Sequence, residues 1–345
     1  MPLPSTIRCP WQRIAVAFLL LCLPTLALAE QAPDPAGYRR YLTGNAADVV
    51  RPTSGLLVLQ GGGEDVDENY VQLGARSGGG DIVVLRATGA GDYGDYIHEL
   101  CNCDSVETLV VDSRAAASDP AVVETVRNAE ALFIAGGDQS DYVRYWRGTP
   151  LEDAINFVAS KPAPIGGTSA GMAILGEFLY PATTPESLTS ATALADPYAG
   201  AVTLERNFLE LPQLKGVLTD QHLKERDRIG RTVTLMARLL QDGWTTEARA
   251  IAADRETALH IDPVTGKAQV YTTSDHPTPY VYFMSARGLP GRCEPGQPLT
   301  LGKVDVYRLA PGGRFDLTTW TGEGGLAYRL SVESGVLRSS RGATY

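Results

Sequence analysis

Pro164-Ile165-Gly166-Gly167-Thr168-Ser169-Ala170-Gly171-Met172-Ala173-Ile174-Leu175 reads as a short strand, a glycine turn, a serine and a helix-compatible run. Glycines at 167 and 171 flank the serine as in a nucleophile elbow, the strained strand-to-helix turn that lifts a hydroxyl into the open. The competing reading is a Gly-rich turn with a capping serine. In the elbow, Ser169 stands at a helix N-terminus, whose unpaired N–H groups favour a developing negative charge. Upstream, Leu56-Leu57-Val58-Leu59 runs into Gly61-Gly62-Gly63-Glu64-Asp65, a buried strand closed by a tight turn. Apolar runs recur at Ile82–Leu85, Leu109–Val111 and Leu132–Ile134. Between them lie helix-compatible stretches such as Asp119–Glu130, with Val122, Val123 and Val126 on one side. Such alternation predicts an α/β fold with a doubly wound, mostly parallel sheet and a site at the strands' carboxyl ends.

Downstream, Ile229, Val233, Met236 and Leu240 recur at helical spacing and predict a helix over Asp227–Gln241. Beyond Lys267 the texture changes to strand-like runs at Val270–Thr272, Tyr280–Phe283, Val304–Arg308, Phe315–Trp320 and Ala327–Val332, separated by Gly/Pro turns. These predict a small antiparallel β extension. The expected organisation is a signal peptide over 1–29, a lead-in over 30–54, an α/β domain over 55–266 and the β extension over 267–345.

The signal assignment comes from Arg8 and Arg13 ahead of the apolar run Ile14–Leu28, closed by Ala27-Leu28-Ala29. A membrane anchor needs roughly 20 apolar residues; this run is shorter and is interrupted by Pro24. Cleavage after Ala29 places the mature protein in the periplasm or outside the cell. It removes Cys9 and Cys22 and leaves Cys101, Cys103 and Cys293, so one bridge from Cys293 to Cys101 or Cys103 is expected. The 345 residues carry 30 Lys plus Arg against 40 Asp plus Glu. A net charge of −10 without a basic tract excludes phosphate-driven nucleic-acid binding.

A serine nucleophile needs a base, and the histidines are His98, His222, His260 and His276. His222 closes a strand-like segment in Asp220-Gln221-His222, at the sheet edge where sites form, and Arg226, Arg228 and Arg231 follow. That cationic cluster reads as a carboxylate-recognition pocket or, alternatively, as a solvated helix start. The turn Ala135-Gly136-Gly137-Asp138-Gln139 can aim backbone N–H groups at a reacting carbonyl and hold a substrate amide through Gln139. Ala170, with Gly136 or Gly137, is the expected oxyanion hole.

Together, the Gly61–Asp65 turn, the G-G-D-Q turn, the G-T-S-A-G elbow and the D-Q-H-x-x-x-R-x-R-x-x-R stretch resemble the cyanophycinase family of serine peptidases, relatives of aspartyl dipeptidase. The resemblance spans residues 55–260. It implies a fold of the class I glutamine-amidotransferase-like type, a Ser-His-acid hydrolase without metal or cofactor, and cleavage beside aspartyl residues. The implied substrate is a peptide or polyaspartate-backbone polymer such as cyanophycin, released as β-Asp-Arg dipeptides. Asp220 and Gln221 are implied to join Gln139 and the arginines in the substrate pocket. No nucleic acid and, once the signal is cut, no membrane is expected as a partner; a homodimer is admissible. Two departures stand out. Met172 replaces the usual Ala, and Arg255 falls where the family's acidic triad member belongs. Glu256, one residue on, is then the expected acid, ahead of Asp254. The rival readings are an α/β-hydrolase esterase recruiting His260 or His276, and a periplasmic binding protein that has lost its triad.

Overall fold

The computed structural model describes residues 37–273 and 279–345. The signal-like segment, with Cys9 and Cys22, and His276 lie outside the described residues. Five short strands run parallel in the order Ser105–Val110, Asp81–Arg86, Ala131–Ile134, Pro164–Thr168, Leu56–Gln60. Their side chains alternate between two cores, as the two-residue period of a strand demands. Leu57, Leu59, Val83 and Leu85 face one core; Leu56, Val58, Ile82 and Val84 face the other. Strands covered on both faces need no polar face, which is why they read as unbroken apolar runs. Helices Asp67–Arg76 and Gly94–Cys101 pack on one face, and Pro120–Asn128 and Pro150–Ser160 on the other.

Two extensions enlarge this sheet to ten strands. At one edge Arg39–Gly44 pairs antiparallel with Ser105–Val110, so part of the expected lead-in is an edge strand. At the other, Thr257–Ile261 pairs antiparallel with Leu56–Gln60 and is followed by Lys267–Thr272. A second sheet of eight strands is built around Val217–Asp220, Glu247–Ala253, Val281–Arg287, Leu301–Leu309 and Leu326–Glu333. Helix Ile229–Gln241 covers its outer face, and Ile251 and Phe283 project inward onto the core shared with the first sheet. The residues after 267 therefore do not form a body of their own. They fill open edges of both sheets, whose unpaired N–H and C=O groups need partners. The expected strand over Phe315–Trp320 shortens to Arg314–Asp316, and Trp320 takes the left-handed conformation at a turn, φ +56°.

The cysteines pair differently from expectation. Cys101 and Cys103 bridge each other, and Cys293 is a buried free thiol. Cys101 closes a helix on the first sheet, whereas Cys293 lies in the outer core of the second. Burial pushes the Cys293 thiol up to about 11, keeping it protonated and inert.

Candidate active site

The elbow forms as its glycines require. Ser169 has φ +52° and ψ −115°, a conformation that costs energy and persists because the surroundings enforce it. Gly171 admits the sharp turn: a β-carbon there would lie 2.1 Å from the Ile134 carbonyl oxygen of the neighbouring strand. Ser169 N–H donates to Gln60 O at 3.0 Å, and His222 N–H donates to Gly61 O at 2.9 Å. Adjacent carbonyls at the end of one strand thus anchor both residues. Ser169 Oγ lies 3.0 Å from His222 Nε2, the spacing of a nucleophile and its base.

The carboxylate at the other ring nitrogen is Glu225, whose Oε2 lies 2.7 Å from His222 Nδ1. Glu256 was the expected acid and does not hold this place. It sits in a left-handed turn, φ +55°, donates its N–H to Gly62 O, and pairs its side chain with Arg255. Asp254 lies behind the site, its Oδ1 accepting the Lys224 N–H at 3.0 Å, and burial pushes its carboxyl up to about 7. What presents Glu225 is the backbone: His222 itself has φ +48°, so the chain doubles back and the residue three positions on meets the ring. Burial lowers the His222 pKa, opposed by its hydrogen bond to Glu225 and reinforced by Arg226 and Arg228. The imidazole is therefore neutral at pH 7, as a base must be. Burial raises Glu225, but His222 and then Arg255 outweigh it and hold this carboxyl below its usual range.

The expected carboxylate pocket divides. Arg231 and Asp220 are buried against each other, with Thr232 Oγ1 donating to Asp220 Oδ2 at 2.7 Å and the Gln221 N–H donating to Oδ1 at 2.9 Å. Burial raises the Asp220 carboxyl, yet Arg231 prevails and it stays below the usual range. A pair satisfied in this way is a floor for the site; neither member is free to grip substrate, contrary to expectation. Above it, Arg228 Nη1 donates to Gln221 O at 3.0 Å and to Gln221 Oε1. Burial first, and then Arg231, bring Arg228 down to about 10, so it remains charged at neutral pH. Arg226 is exposed.

Gly136 lies against the elbow: a β-carbon there would stand 3.5 Å from Ser169 Cβ. Tyr142 Oη holds this turn in place, 2.8 Å from Ala135 O and 3.0 Å from Gly136 O. Gln139 is buried and donates from Nε2 to Tyr180 O at 3.4 Å, and the Tyr180 ring stacks over Arg231. Neither tyrosine is marked by a motif; both are read from packing alone. The Ala170 N–H, at the start of the four-residue helix Ala170–Ala173, has no intrahelical acceptor. His260, the base of the esterase reading, is elsewhere. It hydrogen-bonds Asn69 Oδ1 at 2.7 Å inside the first sheet, and burial pushes it down to about 3.

Gly62 closely constrains the His222 ring. It has φ +92°, and a β-carbon there would lie 2.3 Å from His222 Nε2. Gly62→Ala is expected to displace the ring, to cost about 1–3 kcal/mol of stability through its backbone, and to lower kcat by about 10²-fold. Thermal unfolding and turnover of an aspartyl peptide check this; a wild-type kcat would show that the ring has another place to go.

Residues 87–239 match the family described as Peptidase family S51. The chain is 24% identical over 281 residues to a cyanophycinase from Synechococcus elongatus, covering 77% of this chain and 80% of that protein. A cyanophycinase from Geminocystis herdmanii is 24% identical over 256 residues, covering 70% of this chain and 85% of that one. Among solved structures, a peptidase from an acI-B1 Actinobacterium superposes with a TM-score of 0.51 at 16% identity, covering 77% of this chain and 98% of that one. The last likeness speaks to the mixed α/β fold. The matched stretch contains both Ser169 and His222, so the site lies within the part of the chain that is similar to S51 peptidases, and the similarity to cyanophycinases over most of the chain supports a serine peptidase.

Proposed function

We propose that this protein is an exported serine exopeptidase that hydrolyses cyanophycin or a related aspartyl or isoaspartyl peptide to β-Asp-Arg-type dipeptides. The observation that carries the reading is the 3.0 Å contact between Ser169 Oγ and His222 Nε2, with Glu225 at the opposite nitrogen. In this scheme Ser169 Oγ bonds to the peptide carbonyl carbon as its proton passes to His222 Nε2. Glu225 accepts from Nδ1–H and stabilises the imidazolium. The oxyanion is held by the Ala170 N–H and by one from Gly136 or Gly137. Collapse breaks the C–N bond as His222 returns the proton to the leaving amine. Water, deprotonated by the same imidazole, then hydrolyses the acyl-enzyme and frees Ser169. Gln139, Gln221, Arg226 and Arg228 hold the carboxylates and amides of the polyaspartate backbone, on a doubly wound core of the class I glutamine-amidotransferase-like type.

Export is supported by residues 1–29 alone. Protein recovered from the periplasm of an expressing bacterium should begin at Glu30 and convert purified cyanophycin to dipeptides of Asp and Arg, read by mass analysis. An intact polymer beside an active aspartyl-peptide assay would move the substrate to a smaller isoaspartyl or aspartyl peptide. Inactivity on both would favour a binding protein.

A further inference from the structure

The turn from His222 to Ile229 carries the base, its carboxylate and two of the pocket arginines. Its first half is tied to the second sheet by the Leu223 N–H donating to Ala253 O at 3.1 Å and the Lys224 N–H donating to Asp254 Oδ1 at 3.0 Å. In its second half Ser190 Oγ donates to Asp227 O, and the backbone there makes no bond to a strand among the described residues. Within it, the Arg226 N–H donates to His222 O at 3.1 Å and the Arg228 N–H to Leu223 O at 2.7 Å. Its outer side is met by one side chain from more than a hundred residues away. Tyr345 Oη donates to Asp227 Oδ1 at 2.7 Å, accepts from the Ile229 N–H at 3.2 Å, and lies 3.4 Å from Leu223 O. Asp227 is itself in the left-handed conformation, φ +48°, so its side chain is turned out toward the phenol.

The tyrosine is in turn fastened to the second sheet. Its ring stands edge-on to Tyr282, with centroids 6.4 Å apart, on strand Val281–Arg287. Tyr328 Oη donates to Thr344 O at 2.7 Å, and Arg341 Nη1 donates to Tyr345 O at 3.0 Å. Burial, and then the Asp227 carboxylate, push the phenol well above its ordinary pKa, so it remains a donor throughout the working range.

We infer that Tyr345 is a positioning residue for catalysis: it latches the His222–Ile229 turn to the second sheet and so keeps His222 and Glu225 in register with Ser169. This gives the strands beyond residue 267 a part in the reaction. The inference rests on Ser169 and His222 being the reacting pair, and the experiment separates the two.

The rate constant for fluorophosphonate labelling of Ser169 reports nucleophile activation directly, without a substrate of known identity. Tyr345→Phe keeps the ring against Tyr282 and removes only the hydroxyl. It is expected to slow labelling by about tenfold, while one reagent per chain is still taken up at completion and the melting temperature changes little. A merely structural role would instead lower the labelled fraction and leave the rate constant alone. Asp227→Gly, which suits φ +48° and deletes the acceptor, should slow labelling similarly. Asp227→Asn, equally at ease there and still an acceptor, should restore it. The Asp227 pair decides the question if Tyr345→Phe does not fold. Wild-type rate constants in the variants would overturn the latch; a wild-type protein that takes up no reagent would overturn the reading of Ser169 instead.

Discussion

Ser169→Ala is expected to reduce turnover of an aspartyl peptide by about five to six orders of magnitude, the loss seen when a covalent nucleophile is removed from a serine peptidase. The fold should survive. The Ser169 side chain makes no helix-capping bond, and its hydroxyl hydrogen-bonds His222. Alanine keeps the β-carbon, so the cost of φ +52° is the same in both proteins. The measurement is kcat with matched circular dichroism spectra. An alanine variant with even a tenth of the native rate would remove Ser169 from the mechanism.

The second large effect is at the acid. Glu225→Gln should lower kcat by about 10²- to 10⁴-fold, because an amide neither stabilises the imidazolium nor enforces the tautomer with Nδ1–H outward. The pH profile should move as well. Glu225 raises the His222 pKa against the pull of burial and of Arg226 and Arg228. Without it the imidazole pKa falls further, and the acid limb of kcat/KM, which tracks loss of the neutral base, shifts to lower pH. Glu256→Gln, which breaks a pair with Arg255 at the edge of the site, should leave both limb and plateau close to native. If Glu256→Gln collapses while Glu225→Gln keeps its rate, the carboxylate that serves His222 in turnover is not the one beside it here.

These two residues mark what was legible in the sequence. Ser169 stood out because an elbow needs small residues at fixed offsets, a constraint local to a dozen positions. The parallel strands were legible for a similar reason, since burial on both faces leaves continuous apolar runs. Glu225 was not. A glutamate three residues after a histidine, among Lys224, Arg226 and Asp227, looks like any solvated turn. What makes it a partner is the left-handed backbone of His222, stabilised by Gly61 and crowded by Gly62, residues about 160 positions earlier in the chain. Asp220 and Arg231 were legible as chemistry but not as a pair, since mutual neutralisation depends on how a strand end meets a helix. The same limit applies after residue 267, where short antiparallel strands carry no mark of which sheet they will join. It applies to Cys293 too, whose side of the molecule is set by packing.

Ser169 descends from a strand of the first sheet and His222 from a strand of the second. The proposed reacting pair is therefore split across a seam, and its 3.0 Å contact works as a gauge of how the two sheets are seated. A slip of about 1 Å between them would break the His222 N–H bond to Gly61 O that crosses the seam and carry Nε2 out of hydrogen-bond reach, while every strand kept its own ladder partners. Proton transfer would fail before any ladder opened, so loss of activity on warming or in mild denaturant would mark loosening along that seam and precede melting of either sheet.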